Sequence, residues 1–186
     1  LRHRVQALLG QRRLVHEFRR LRDRLQTIEQ SRVLAPFVDA ERVYPAVLDL
    51  LLRAGSRERG FAFFVRKEVP AGFDLVLHGF SDDEANHLRE RFVENKPLDL
   101  ERYTQIEVLD RGEIHSAMEV AGIDVETILV VPIKGNEAEA GVICVFSDNR
   151  AIAEHEVGQA DLIADRGCEA LRNVERYQHA KDRAFV

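Results

Sequence analysis

The chain has 186 residues, 45% of them hydrophobic and 32% charged, with a formal net charge of −5, which suits one globular domain plus extensions. That length buries a core easily, so disorder is excluded. The two cysteines have no CxxC spacing, which excludes a disulfide scaffold and points to free thiols in a reducing compartment. No apolar run approaches the roughly 18 residues that a membrane span needs.

Charge is unevenly placed. Residues 1–35 carry nine Arg against three acidic side chains, while the remainder is acidic. A basic arm suggests nucleic acid or an anionic membrane. Its apolar positions keep a heptad spacing, however, and charges between such positions form the solvated face of a coiled coil. Neither nucleic acid nor membrane is therefore expected as a partner. The N-terminus lacks an apolar signal region, so a cytoplasmic location is expected. The chain begins at Leu, so it is read as a fragment of a longer protein.

Leu14, Phe18, Leu21, Leu25 and Ile28 recur at steps of four and three, the a/d spacing of a coiled coil. Residues 1–38 are read as this N-terminal helix, with a phase slip near residues 12–15 and an end at Pro36. Asp39 is a good N-cap for a second helix, whose stripe Val43, Val47, Leu50, Leu51, Ala54 ends at Gly55. Gly60–Arg66 follows as a strand, 69–72 as a turn, and Phe73–Phe80 as the hairpin partner. Alternation along the first strand is taken to turn Phe61, Phe63 and Val65 toward the terminal helices and Ala62, Phe64 and Arg66 the other way.

Ser81-Asp-Asp-Glu84 fits a capping box opening a helix that carries Ala85, Leu88, Phe92 and Val93 and stops before Pro97. A short strand over Thr104–Leu109 precedes a further helix, Asp110–Ala121. Ile128–Ile133 and Gly141–Phe146 are apolar strands joined by a polar turn, and Pro132 must lie at an edge or bulge because it cannot donate a ladder bond. The last helix starts near Ala153, with Ile163, Gly167, Leu171, Val174 and Phe185 as inward positions.

This order predicts an α+β domain: an antiparallel sheet of five or six strands with helices on both faces, flanked by long N- and C-terminal coiled-coil helices. The terminal helices pack on one face, and the middle helices and loops cover the other. A pocket is expected there, with Phe64, Arg66, His78, Tyr103, His115 and Met118 in its wall. A strand-end Arg suits an anionic ligand, although an exposed strand-end charge explains Arg66 as well. A parallel homodimer is expected, with Leu14, Phe18, Leu21, Leu25 and Ile28 joined by Leu171 and Val174 in the interface.

The chemistry-bearing residues do not converge. His78, His115 and His155 have no HxxxH or HExxH spacing, and Asp82, Asp83 and Glu84 sit where acidic side chains meet a helix dipole, so no metal is expected. No nucleophile–base pair or phosphate loop is present, so no catalytic residue is assigned and the fragment is not read as an enzyme.

Residues 39–172 resemble a GAF domain along their whole length. The features that carry this are the helix ending in Gly55, the GFAFFVR strand, the paired middle helices, and the LVVPI and GVICVF strands before a helix. The resemblance implies a ligand-sensing regulatory module. It leaves the cofactor open: there is no NKFDE-type motif for a cyclic nucleotide, no Cys beside His for a bilin, and no set of loop cysteines for sulfoxide chemistry. Residues 171–186, LRNVERYQHAKDRAFV, resemble the signalling helix that joins a sensor to a GGDEF diguanylate cyclase domain, so residues 173–186 are read as a linker. The resemblance implies a bacterial-type signalling protein, a dimer controlling a downstream cyclase through a small-molecule ligand or dimer rearrangement. The GGDEF motif itself is absent, so cyclase activity is not expected of this fragment. The alternative is a structural dimerisation module with no ligand, its pocket filled by Phe, Met and Leu side chains.

Overall fold

The computed structural model describes residues 17, 21–29, 31–34, 39–65, 72–95, 100, 102–110, 125–135, 140–148 and 151–184. Helix α1 (residues 21–29) and a 3-10 turn at Arg32–Leu34 precede α2 (Ala40–Gly55). Then follow β1 (Gly60–Val65), β2 (Phe73–His78), α3 (Asp82–Asn95), β3 (Glu107–Asp110), β4 (Thr127–Lys134), β5 (Ala140–Ser147) and α4 (Glu154–Ala184). The five strands form one antiparallel sheet in the order β2-β1-β5-β4-β3. The expected Asp110–Ala121 helix lies outside the described residues apart from Asp110, which closes β3.

Local chemistry sets the element ends. Asp39 caps α2 from an extended backbone and accepts the Glu41 N–H at 3.1 Å. At the other end Ser56, not Gly55, takes the left-handed conformation (φ 49°), and the N–H groups of Ser56 and Arg57 close onto Arg53 and Leu52 carbonyls. The box at α3 is reciprocal: Glu84 accepts the Ser81 N–H and hydroxyl at 2.9 Å each, and Ser81 Oγ accepts the Glu84 N–H at 3.4 Å. Pro132 pairs with Val142 on β5, and β3 ends opposite Val130, so on its other side Pro132 stands at an edge as its missing N–H requires.

Strand β5 is buried at every position from Gly141 to Ser147, because both faces of the sheet are covered at its centre. On one face α2 and α4 pack Val43, Tyr44, Val47, Leu48, Leu51, Ile163, Leu171 and Val174 onto Ala62, Phe64, Leu129, Val131, Ile133, Ile143 and Val145. On the other, Leu88 and Phe92 of α3 meet Phe61, Phe63, Ile128, Val130, Val142, Cys144 and Phe146.

This reverses the facing expected for β1. Phe64 turns to the terminal helices and stacks on Tyr44, ring centroids 4.1 Å apart and 6° from parallel. The reason is space. A Cβ at Gly60 would lie 3.0 Å from Leu48 Cδ1, and one at Gly141 would lie 2.5 Å from Tyr44 Cε1 and 2.7 Å from Phe64 Cβ. Small residues at 60, 62 and 141 thus let α2 close on this side, and Phe61 and Phe63 go to the other.

A second correction concerns Leu171 and Val174. Each is 1% exposed in the single chain, within its own core, so neither is available to a dimer interface. Their helix has small residues at Ala160, Ala164, Gly167 and Ala170 along the same stripe, which bring it close to α2 and the sheet. Helix α4 runs without a break through residue 172, and residues 176–183 are exposed.

Helix α1 presents Thr27, Ser31 and the following Leu34 inward, with the Thr27 and Ser31 hydroxyls donating to Asp23 and Ile28 carbonyls at 2.9 Å. Leu21 and Leu25 lie about a third of a turn away and are 59% and 66% exposed. Leu14 and Phe18 lie outside the described residues.

Candidate functional site

The face of the sheet under α3 is a continuous aromatic surface. Phe61 meets the edges of Phe92 and Phe146 at 5.2 and 5.7 Å, Phe63 tilts against Phe73 and Phe92 at 5.2 and 5.1 Å, and Phe80 meets Phe146 at 5.5 Å. Alternation on three strands supplies the rings: β1 gives positions 61 and 63, β2 gives 73, and β5 gives 146. Edge-to-face contacts of this kind favour one arrangement of rings beyond the area they bury. The surface is rimmed by Tyr103, whose ring has the Arg102 guanidinium 5.5 Å from its centroid. Among the described residues this face carries no buried charge, and it is suited to aromatic or aliphatic groups.

Of the six residues expected around a pocket, only Tyr103 lies on this face among the described residues. Phe64 is on the opposite face, as above. His78 is exposed at the end of β2, where Phe73, Leu75 and Leu77 take the aromatic side and His78 alternates away from them. Arg66, His115 and Met118 lie outside the described residues. The sequence reading missed Phe61, Phe63, Phe92 and Phe146 as the heart of this face. The signal that finds three of them is the small pair Gly60 and Ala62, which marks the helix-covered side and sends 61 and 63 to the other; on β5, Gly141 does the same for Phe146.

Two cavities among the described residues lie between the terminal helices. One open furrow of about 450 Å³ is lined by Glu17, Leu21, Arg24, His155, Gly158 and Gln159 among others. A second of about 570 Å³ runs along Ile28, Leu162, Arg166, Glu169, Arg172 and Arg176. Both lie along the α1–α4 groove, the first against the exposed Leu21 and the second against Ile28.

Neither thiol is poised for reaction. Cys144 is buried on the aromatic face, and burial pushes its thiol far up. Cys168 on α4 accepts the Lys134 N–H at 3.4 Å and is likewise raised, chiefly by burial. Among the described residues, no group of three or more His, Cys, Asp or Glu side chains is placed to hold a metal ion. No described helix is long and apolar enough to cross a membrane.

No protein-family model matches the sequence, and no curated protein matches it at a significant level. Solved structures do. The chain is similar to the GAF domain of a protein described as a sensor histidine kinase from Pseudomonas syringae pv. tomato (TM-score 0.59, 17% identity, covering 94% of this chain and 99% of that one). It is similar to CepR2 of Burkholderia cenocepacia, an N-acylhomoserine-lactone-dependent transcription factor of the LuxR family (TM-score 0.57, 13% identity, 81% and 97% covered). It is also similar to a GAF domain/HD domain protein from Geobacter sulfurreducens (TM-score 0.50, 16% identity, 76% and 97% covered). The chain therefore has a GAF-like fold.

Proposed function

We propose that this chain is the sensory domain of a signalling protein, that it takes a small apolar ligand on the aromatic face, and that α4 carries the response to a diguanylate cyclase domain downstream. The observation that carries the reading is the course of α4. Its first half is core, from Ala160 to Val174, and the same 31-residue helix continues as an exposed rod. A rod rooted in the core moves with it. The cyclase as target is supported by the resemblance of residues 171–186 to a GGDEF-linked signalling helix. The ligand class is supported by the Phe-rich lining that the described residues give this face, and by CepR2, a protein of similar fold that depends on an N-acylhomoserine lactone.

The chain acts as a homodimer in this reading. Leu21 and Leu25 are large, apolar, exposed and spaced at four residues, and Leu21 lines the furrow between α1 and α4. A second copy covers them by the same surface, as two-fold symmetry requires. Ile28 lies in the adjoining furrow and extends the seam. The alternative, a dimerisation module with no ligand, is favoured by one observation: the Phe61, Phe92 and Phe146 rings already pack against one another.

The test of the output reading is helix phase. In the longer protein, two residues inserted after Gln178 rotate everything beyond by about 200°, whereas seven rotate it by only about 20°. Cyclic di-GMP formation from GTP should collapse or lock on with the two-residue insert and survive the seven-residue one. Activity indifferent to phase would show α4 to be a tether.

A further inference from the structure

The segment between α2 and β1 carries two arginines, Arg57 and Arg59, that reach to opposite sides of the sheet. The Arg57 side chain is 9% exposed and its partner Glu156 is 4% exposed. Arg57 Nη2 donates to both Glu156 oxygens, at 3.0 and 3.2 Å, and Nη1 donates to Ser147 Oγ. Glu156 Oε2 also accepts the Ala153 N–H at 2.8 Å, so the same carboxylate fixes the first turn of α4. Gly55 makes the space: a Cβ there would lie 3.1 Å from Arg57 Cγ and 3.3 Å from Glu156 Oε1. About 10 Å³ is left beside the pair, no more than one water needs.

Arg59 grips the other side. Its Nε and Nη2 donate to Asp148 at 3.2 and 2.5 Å, and Nη1 donates to Glu84 Oε1 at 3.4 Å. Glu84 is the carboxylate that closes the α3 capping box, and the Arg59 carbonyl accepts the Phe146 N–H at 2.9 Å. The end of β5 is therefore held by both arginines, Ser147 by Arg57 and Asp148 by Arg59. One contact leads on to the start of α3, over the aromatic face, and the other to the start of α4, on the helix face.

A buried ion pair adds little net stability over an apolar pair of equal volume, so its use is sought in the geometry it fixes. We propose that Arg57 and Arg59 form a coupler through which displacement of α3 reaches the first turn of α4. Arg57 is the rigid half, buried, with its two terminal nitrogens forked between Glu156 and Ser147. Arg59 is the yielding half, 20% exposed and bound to partly exposed carboxylates. The proposal rests on the aromatic face being the ligand side. Its test uses no ligand and no downstream domain, so its failure is distinct from failure of the sensory reading.

The experiment is amide hydrogen exchange on the whole chain, comparing wild type with Arg59→Met, Arg57→Lys and the double variant. Arg59→Met keeps the apolar stem and, at a partly exposed site, the fold. Arg57→Lys keeps the charge and loses the fork. With Arg59→Met, the first turns of both α3 (82–86) and α4 (154–158) should exchange roughly fivefold faster or more, while residues 61–64 of β1 are unchanged. With Arg57→Lys, the α4 turn should speed up, and adding Arg59→Met should then change α4 no further. An Arg59→Met effect confined to α3, or one that reaches α4 undiminished in the Arg57→Lys background, would overturn the proposal.

Discussion

The two faces of the sheet are both apolar, but they are closed in different ways. On the helix face, α2 and the 31-residue α4 lie across small residues, and the Tyr44–Phe64 stack locks β1 to α2. On the aromatic face the described cover is the 14-residue α3, and the closest contacts are between phenylalanines tilted or edge-on to one another. Among the described residues, then, one face is closed by small residues and a stacked ring pair, the other by rings meeting edge-on or tilted.

The comparison can be broken by substitution. Phe64→Ala removes a ring that is 2% exposed together with its stack on Tyr44, and should cost about 4–5 kcal/mol in urea denaturation. Phe92→Ala, equally buried but held by edge-on and tilted rings rather than by a stack, should cost about 3 kcal/mol. Equal losses would erase the distinction. Arg57→Ala removes the cation that faces the buried Glu156 and should cost about 3 kcal/mol, most of which returns when Arg57→Met and Glu156→Leu are combined. Gly141→Ala pushes a methyl into the Tyr44–Phe64 stack and should cost about 1–3 kcal/mol by the same measurement.

The smallest expected effect lies at the start of α3. Hydrogen bonds from Ser81, backbone first and then hydroxyl, hold the Glu84 carboxyl below its usual range, with Arg59 adding to them. A carboxyl whose folded value is depressed contributes stability above its unfolded value, near 4.3, and loses it as pH falls through the folded value. Glu84→Gln should therefore cost about 1 kcal/mol at pH 7, and the gap from wild type should close below about pH 4. A gap that persists in acid would show that the carboxylate charge is not what matters there.

Much of this architecture is legible in the residues. Asp39, the Ser81–Glu84 box, the β-branched run of β4 and the apolar run of β5 each state their element locally, and each forms. What is not legible is which side of β1 meets the helices. A strand buried on both faces, GFAFFV, has no polar phase to read, so side is settled by partners 80 residues distant, such as Gly141. The same blindness misassigned Leu171 and Val174. A stripe at helical spacing looks the same whether it meets a second chain or its own sheet, and only the burial of both residues within one chain decides.

The most direct test uses neighbouring methyl groups on opposite faces of the same strands. In methyl-labelled protein titrated with N-octanoyl homoserine lactone, magnetic resonance should show shifts at Val130 of β4, Val142 of β5 and Leu88 of α3. Their counterparts on the helix face, Val131, Ile143 and Leu48, should stay within the spread of unrelated methyls. Shifts on the helix face instead, or no shift on either face up to the solubility of the compound, would contradict the proposal that the aromatic face takes small apolar ligands of this kind.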